Sequence, residues 1–147
     1  MKHEALLTVA RLRRLALDDA SQAVSRALAA ELVAATRADD ATQQIANEAA
    51  AASSLNGDDA LVEAFAAWLP GARQHAAEAR ETCERAGAEV ARLRAVLTAS
   101  RTASEAVDTL LAQRAEAQAL DRDRRSQAEL DEAGRQTEPW VRTGEPS

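Results

Sequence analysis

Aromatic side chains are nearly missing from this chain: two Trp, one Phe and no Tyr among 147 residues. A compact globule draws much of its buried area from such residues, so an ordinary globular core is excluded. The hydrophobic fraction is 46%, but most of it is alanine, whose burial removes little area from water. Cysteine is down to one residue, Cys83, which rules out an intramolecular disulfide and a multi-cysteine metal site. Five Gly and three Pro leave few places to interrupt a helix and provide no glycine-rich phosphate loop. A surplus of basic charge is also lacking. The formal net charge is −6, so a wide electrostatic footprint for nucleic acid or anionic lipid is not expected. Arg11, Arg13 and Arg14 and, later, Arg122, Arg124 and Arg125 lie beside aspartates and read as solvated faces of mixed charge. Long apolar runs are missing too. The opening Met-Lys-His-Glu-Ala-Leu-Leu-Thr-Val-Ala meets Arg11 and reads as neither signal peptide nor membrane span.

The chemistry of a catalytic centre is equally sparse. His3 and His75 are far apart in sequence, and neither has a second His or Cys within a helical turn, so no metal is expected. The pairs Asp18-Asp19, Asp39-Asp40 and Asp58-Asp59 consist of neighbours, which diverge by about 100° around a helix and cannot converge on one substrate. No enzyme activity, cofactor or small-molecule ligand is expected.

What is abundant is Ala, Glu, Arg, Leu and Gln, the residues of highest helix propensity. In the second half, Val62, Phe65, Leu69, Ala72, Ala76, Ala79, Cys83, Ala86, Val90, Leu93 and Leu97 follow a strict alternation of three and four. A seam of period 3.5 specifies a left-handed supercoil against another helix. Continued, the count meets Ser100, Ser104, Val107, Leu111, Arg114 and Gln118, so the seam should weaken after Leu97 and fade after Leu111. Cys83 falls on the seam and is expected to be a packed, inert thiol. The first half carries a poorer seam through Leu17, Val24, Leu28, Ala35, Ala38, Ile45, Ala49 and Ala52, with Ser21, Glu31 and Thr42 completing it.

Between the halves, Asn56-Gly57 supplies left-handed backbone, and Asp58 or Asp59 can cap the next helix. The predicted architecture is all-α: one antiparallel two-helix coiled-coil hairpin over residues 1–136. Its first arm covers about 3–52, its turn about 53–59 and its second arm about 60–134, with a kink near Pro70. Residues 137–147 are expected to form a disordered tail. A turn near Asn56 leaves residues beyond about 110 without a partner in the first arm. That overhang is the polar stretch from Gln113 to Gly134.

The hairpin and its overhang resemble the FliJ family of flagellar export proteins, related to the YscO proteins of type III secretion. The resemblance rests on Leu6-Leu7-Thr8-Val9-Ala10-Arg11-Leu12-Arg13, on the Asp-Asp-Ala-Ser run at 18–21, on Leu61, Phe65, Trp68 and Leu69 at the start of the second arm, and on the closing segment Arg122 to Glu132. It implies a non-enzymatic stalk, cytoplasmic and peripherally associated with the inner-membrane export apparatus. The stalk would bind the export ATPase hexamer and the membrane export-gate protein and assist export chaperones. The ATPase-facing residues would be Arg114, Arg122, Arg124, Arg125, Gln127, Asp131 and Glu132. The gate-facing residues would be Trp68, Ala72, His75 and Ala79. A stalk of this kind is expected to be a monomeric hairpin. The competing expectations are a structural or adaptor coiled coil acting as a homodimeric spacer, and a secretion chaperone, which would need an exposed apolar groove.

Overall fold

The computed structural model of the chain describes residues 2–54 and 58–137. Two α-helices account for nearly all of them, α1 (Lys2–Ala52) and α2 (Asp59–Thr137), and they pack against each other as a two-helix hairpin. Strong helix formers at most positions make both helices continuous, and tertiary pairing supplies the stability that propensity alone does not. Where α1 ends, the Ser53 N–H and hydroxyl both donate to the Ala49 carbonyl. Asp58 caps α2 as expected. Its carbonyl accepts from the Leu61 and Val62 amides at 2.9 and 3.3 Å, and its carboxylate accepts from the Ala60 amide at 3.4 Å. The Asn56-Gly57 turn and the tail beyond Thr137 lie outside the described residues.

Pro70 does not break α2, which runs through it uninterrupted. The ring removes the amide that would bond the Ala66 carbonyl. Both Ala66 and Pro70 are exposed, so water can satisfy that carbonyl. α2 also continues past Gly134 to Thr137, whose hydroxyl donates to the Gly134 carbonyl at 2.9 Å.

The chain divides into two compact units, Arg13–Thr102 and the combination of Met1–Leu12 with Ala103–Ser147. In the first, the α2 seam follows the three-four alternation closely. Ala76 and Val90 are buried, and Phe65, Leu69, Ala72, Ala79, Cys83, Ala86, Leu93 and Leu97 are half-buried. Val62 is the exception, 47% exposed. It lies in the first turn of α2, outside the cleft that Phe65 and Trp68 line with the end of α1, and its neighbour Leu61 is equally exposed, at 49%.

The α1 seam is in a different phase from the one the larger residues suggest. Ala20, Val24, Ala34 and Ala41 are buried, and Leu17, Ala27, Glu31, Ala38 and Ile45 are half-buried; of the expected positions, Ala35, Ala49 and Ala52 are half-buried too, so the difference in phase is confined to the stretch before Ile45. Leu28 is exposed, and so are Ser21 and Thr42. The two possible three-four alternations share Leu17, Val24, Glu31, Ala38 and Ile45, and differ at every second step. The observed one puts an alanine every seventh residue, at 20, 27, 34 and 41, facing α2. Small residues let two helices approach closely, and a leucine at 28 would hold them apart. Gly87 shows how close the approach is: a Cβ added there would lie 3.2 Å from Glu31 Oε1.

In the second unit, Ala10 and Ser104 are buried, at 4% and 6% exposure. Leu6, Ala103, Val107, Leu111 and Arg114 are half-buried around them. The shelter therefore persists as far as Arg114. From Ala115 to Thr137 every residue is exposed.

Candidate functional site

Six of the seven residues expected to face an ATPase lie on the exposed final stretch of α2, and Arg114 does not. Its guanidinium donates to the Lys2 carbonyl at 3.4 Å and is half-buried, so the first arm does meet it and the unpaired stretch begins at residue 115. The six others surround the helix. At 3.6 residues per turn Arg124, Gln127 and Asp131 share one face, Arg125 and Glu132 a second, and Arg122 lies beyond these. Arg125 pairs with Asp121 at 3.0 Å, and the Gln127 amide donates to Asp131 at 3.5 Å. Exposed pairs of this kind contribute a few tenths of a kcal/mol and exchange readily for other partners. Arg122, Arg124 and Glu132 make no hydrogen bond or ion pair among the described residues. Leu120 and Leu130, 52% and 67% exposed, are the stretch's large apolar groups.

Trp68, Ala72, His75 and Ala79, by contrast, follow one another at four, three and four residues along a single face of α2. Trp68 is half-buried and stacks on Phe65, with ring centroids 5.9 Å apart and planes at 40°. A tilted pair at this separation suits the aromatic quadrupoles. Trp68 separates two small clefts. One, of about 300 Å³, is bounded by Gln44, Glu48 and Ala52 of α1 and Leu61 and Phe65 of α2. The other, of about 230 Å³, holds Ala72 and His75 opposite Ala41 and Gln44. His75 and Ala79 then open onto a larger groove of about 930 Å³, with Ala29, Ala30, Val33 and Arg37 on its far side. The four residues thus form one continuous strip beside the inter-helix grooves, apolar at Trp68 and polar at His75.

The electrostatics of the described residues are those of an open surface. The Glu89 carboxyl is held below the ordinary glutamate value, first by its hydrogen bonds from Arg92 at 2.6 and 2.9 Å and then by the guanidinium charge. The pair is exposed, at 62% for Arg92 and 48% for Glu89. No group of three or more His, Cys, Asp or Glu able to hold a metal occurs among the described residues, and none of their helices is long and apolar enough to cross a membrane.

The sequence reading missed the exposed aliphatic side chains of α1. Leu12, Leu15, Leu32 and Val33 are between 50% and 70% exposed, so the hairpin seam does not consume the apolar surface of that helix. All four fall outside either three-four alternation of α1, so the spacing itself already left them off the seam.

No family model, no curated protein and no solved structure matches the chain.

Proposed function

We propose that this chain is a non-enzymatic stalk of a flagellar type III export apparatus. It binds the export ATPase hexamer through the exposed end of α2 and the export gate through the strip of Trp68, Ala72, His75 and Ala79, and it assists chaperone delivery at the cytoplasmic side of the inner membrane. One observation supports this reading above the others: α2 stays helical for residues 115–137 although every residue there is exposed. A polar helix without a packing partner is marginal by itself, because nucleation is costly and propensity small. A receiving protein accounts for its retention. Arg122 and Arg124 suit carboxylates on such a receiver, with bidentate geometry available to each.

The test is a chain ending at Ala119, compared with the full chain for binding to the cognate ATPase hexamer and for stimulation of ATP hydrolysis. The truncated chain is expected to lose both, and the full chain's binding is expected to weaken with salt, since exposed charges are screened over about 10 Å at 0.1 M. Equal binding and stimulation by the truncated chain would refute the ATPase contact. The exposed Leu120 and Leu130 favour one second reading, a homodimeric spacer that buries this helix against another copy. Sedimentation at micromolar concentration separates them: the stalk is a monomer and the spacer a dimer.

A further inference from the structure

The middle of α1 is apolar nearly all the way round. From Ala27 to Thr36 the sequence Ala-Leu-Ala-Ala-Glu-Leu-Val-Ala-Ala-Thr contains one charged residue, Glu31. Glu31 is half-buried, and its carboxylate lies beside Gly87 of α2, so it presents no charge on the outer side. What remains outside is Leu28, Ala29, Ala30, Leu32 and Val33, with Leu32 at 70% and Val33 at 50% exposure. A helix that is apolar on every side is normally covered on every side. α2 covers only one.

Two arginines frame the part of this surface that carries Ala29, Ala30 and Val33, while Leu28 and Leu32 lie more than about 100° round α1 from the middle of that part. Arg26, Ala29, Ala30, Val33 and Arg37 recur at three- and four-residue steps and form one outer stripe, with the guanidinium-bearing residues eleven positions apart, about 16 Å along the axis. Both are exposed, and neither makes an ion pair or side-chain hydrogen bond among the described residues. The stripe continues into the groove floored by Ala34 and Ala79, with Arg37 on its rim. In a chain of net charge −6, an apolar stripe closed at both ends by cations selects its occupant; the carboxylate on the α2 side of the adjoining groove, Glu78, accepts a hydrogen bond from Gln74. A second copy laid on it stripe to stripe brings arginine onto arginine in either direction. In the antiparallel case Arg26 meets the other Arg37, and in the parallel case each meets its own equivalent. Like charges at the rim oppose that pairing.

We infer that the outer stripe from Arg26 to Arg37 is a docking site for an amphipathic helix of another protein, one whose apolar seam is closed by carboxylates about eleven residues apart. Helix against apolar stripe gives the contact area, and the two arginines fix register and direction. The stripe borders the groove that His75 and Ala79 also line, but the inference does not rest on the export-stalk reading.

The test uses the full chain, isotope-labelled, and a stapled synthetic helix of about 22 residues, long enough to span the stripe. The helix carries a leucine-alanine seam with one glutamate at each end. Chemical-shift changes are expected to centre on residues 26–37. Binding is expected to fall about tenfold in the double variant Arg26→Glu, Arg37→Glu, whose circular dichroism stays unchanged because both side chains are exposed. The same synthetic helix with lysine in place of glutamate is expected to prefer that variant. Absence of binding, equal binding of the glutamate and lysine helices to the native chain, or shift changes centred elsewhere would overturn the site. A stable dimer in sedimentation with residues 26–37 protected from exchange would overturn it as well, reassigning the stripe to self-association.

Discussion

Gly87 of α2 sits against Glu31 of α1 so closely that a methyl group added to the glycine would lie 3.2 Å from the Glu31 carboxylate. The neighbour is the far end of a flexible side chain, which can give the few tenths of an ångström required. Gly87→Ala therefore gains helix propensity at little steric cost and is expected to stabilise the hairpin by roughly 0.5–1 kcal/mol. Thermal unfolding followed by circular dichroism checks it. A lowered midpoint would mean that Glu31 is held rigidly.

The phase of the α1 seam makes a prediction opposite to simple hydrophobicity. Ala34 is 6% exposed and Leu28 is 39% exposed. Ala34→Leu adds apolar bulk where the helices are close, and is expected to cost about 1–3 kcal/mol by overpacking. Leu28→Ala removes apolar bulk at the margin and is expected to cost less than about 1 kcal/mol. Denaturant midpoints of the two variants should fall in that order, and the reverse order would restore the leucine phase.

Pro70 interrupts the hydrogen-bond ladder of α2 at an exposed position without ending the helix. Pro70→Ala restores a donor to the Ala66 carbonyl and is expected to raise stability by about 1–3 kcal/mol. Native-state hydrogen exchange should slow around residues 66–72. Unchanged exchange would show that the surrounding packing had already absorbed the defect.

Glu89 and Arg92 offer a pH signature. The folded carboxyl is lowered because Arg92 hydrogen-bonds it, so whatever the pair contributes is present above the unfolded glutamate value and is lost as pH falls through the folded one. An NMR titration should place Glu89 below the ordinary glutamate value, and Arg92→Ala should bring it back up. High salt should narrow the difference, since both groups are exposed. Insensitivity to Arg92→Ala would assign the shift to another cause.

Trp68 links packing to binding. It stacks on Phe65 and stands between two clefts, so Trp68→Ala is expected to destabilise by about 2 kcal/mol, below the range for a fully buried tryptophan. The export-gate proposal adds that binding to the gate protein falls further than the lost stability explains. Loss of stability with every partner affinity unchanged would make Trp68 a packing residue alone.

Much of this fold was legible because α2 writes its seam in residues of unlike kind. Phe65, Leu69, Cys83, Val90, Leu93 and Leu97 alternate with alanine at three and four, leaving one phase that fits. α1 was less legible. At 27 and 28 it offers Ala beside Leu, and at 34 and 35 two alanines, so apolarity alone points to the larger residue while close approach requires the smaller. Arg114 was misjudged for a related reason. Its polarity and the turn placed near Asn56 suggested a free end, whereas its long side chain reaches the Lys2 carbonyl. The face formed by Trp68, Ala72, His75 and Ala79 could be counted from spacing, but the Phe65 stack and the clefts beside it depend on side-chain positions that spacing does not specify.

The alanines at 20, 27, 34 and 41 repeat every seventh residue. Sliding α1 by one heptad, about 10 Å, would set alanine where alanine had been along most of that side. Such a ladder is nearly degenerate under translation, and a near-degenerate ladder can creep. Correct alignment is then decided by the rungs that differ from their neighbours: Leu17, Val24 and Ile45 on one helix, Phe65, Leu69, Cys83, Val90, Leu93 and Leu97 on the other, and the notch at Gly87 that admits Glu31. Replacing those rungs with alanine would leave the helices paired but no longer able to tell one step of the ladder from the next.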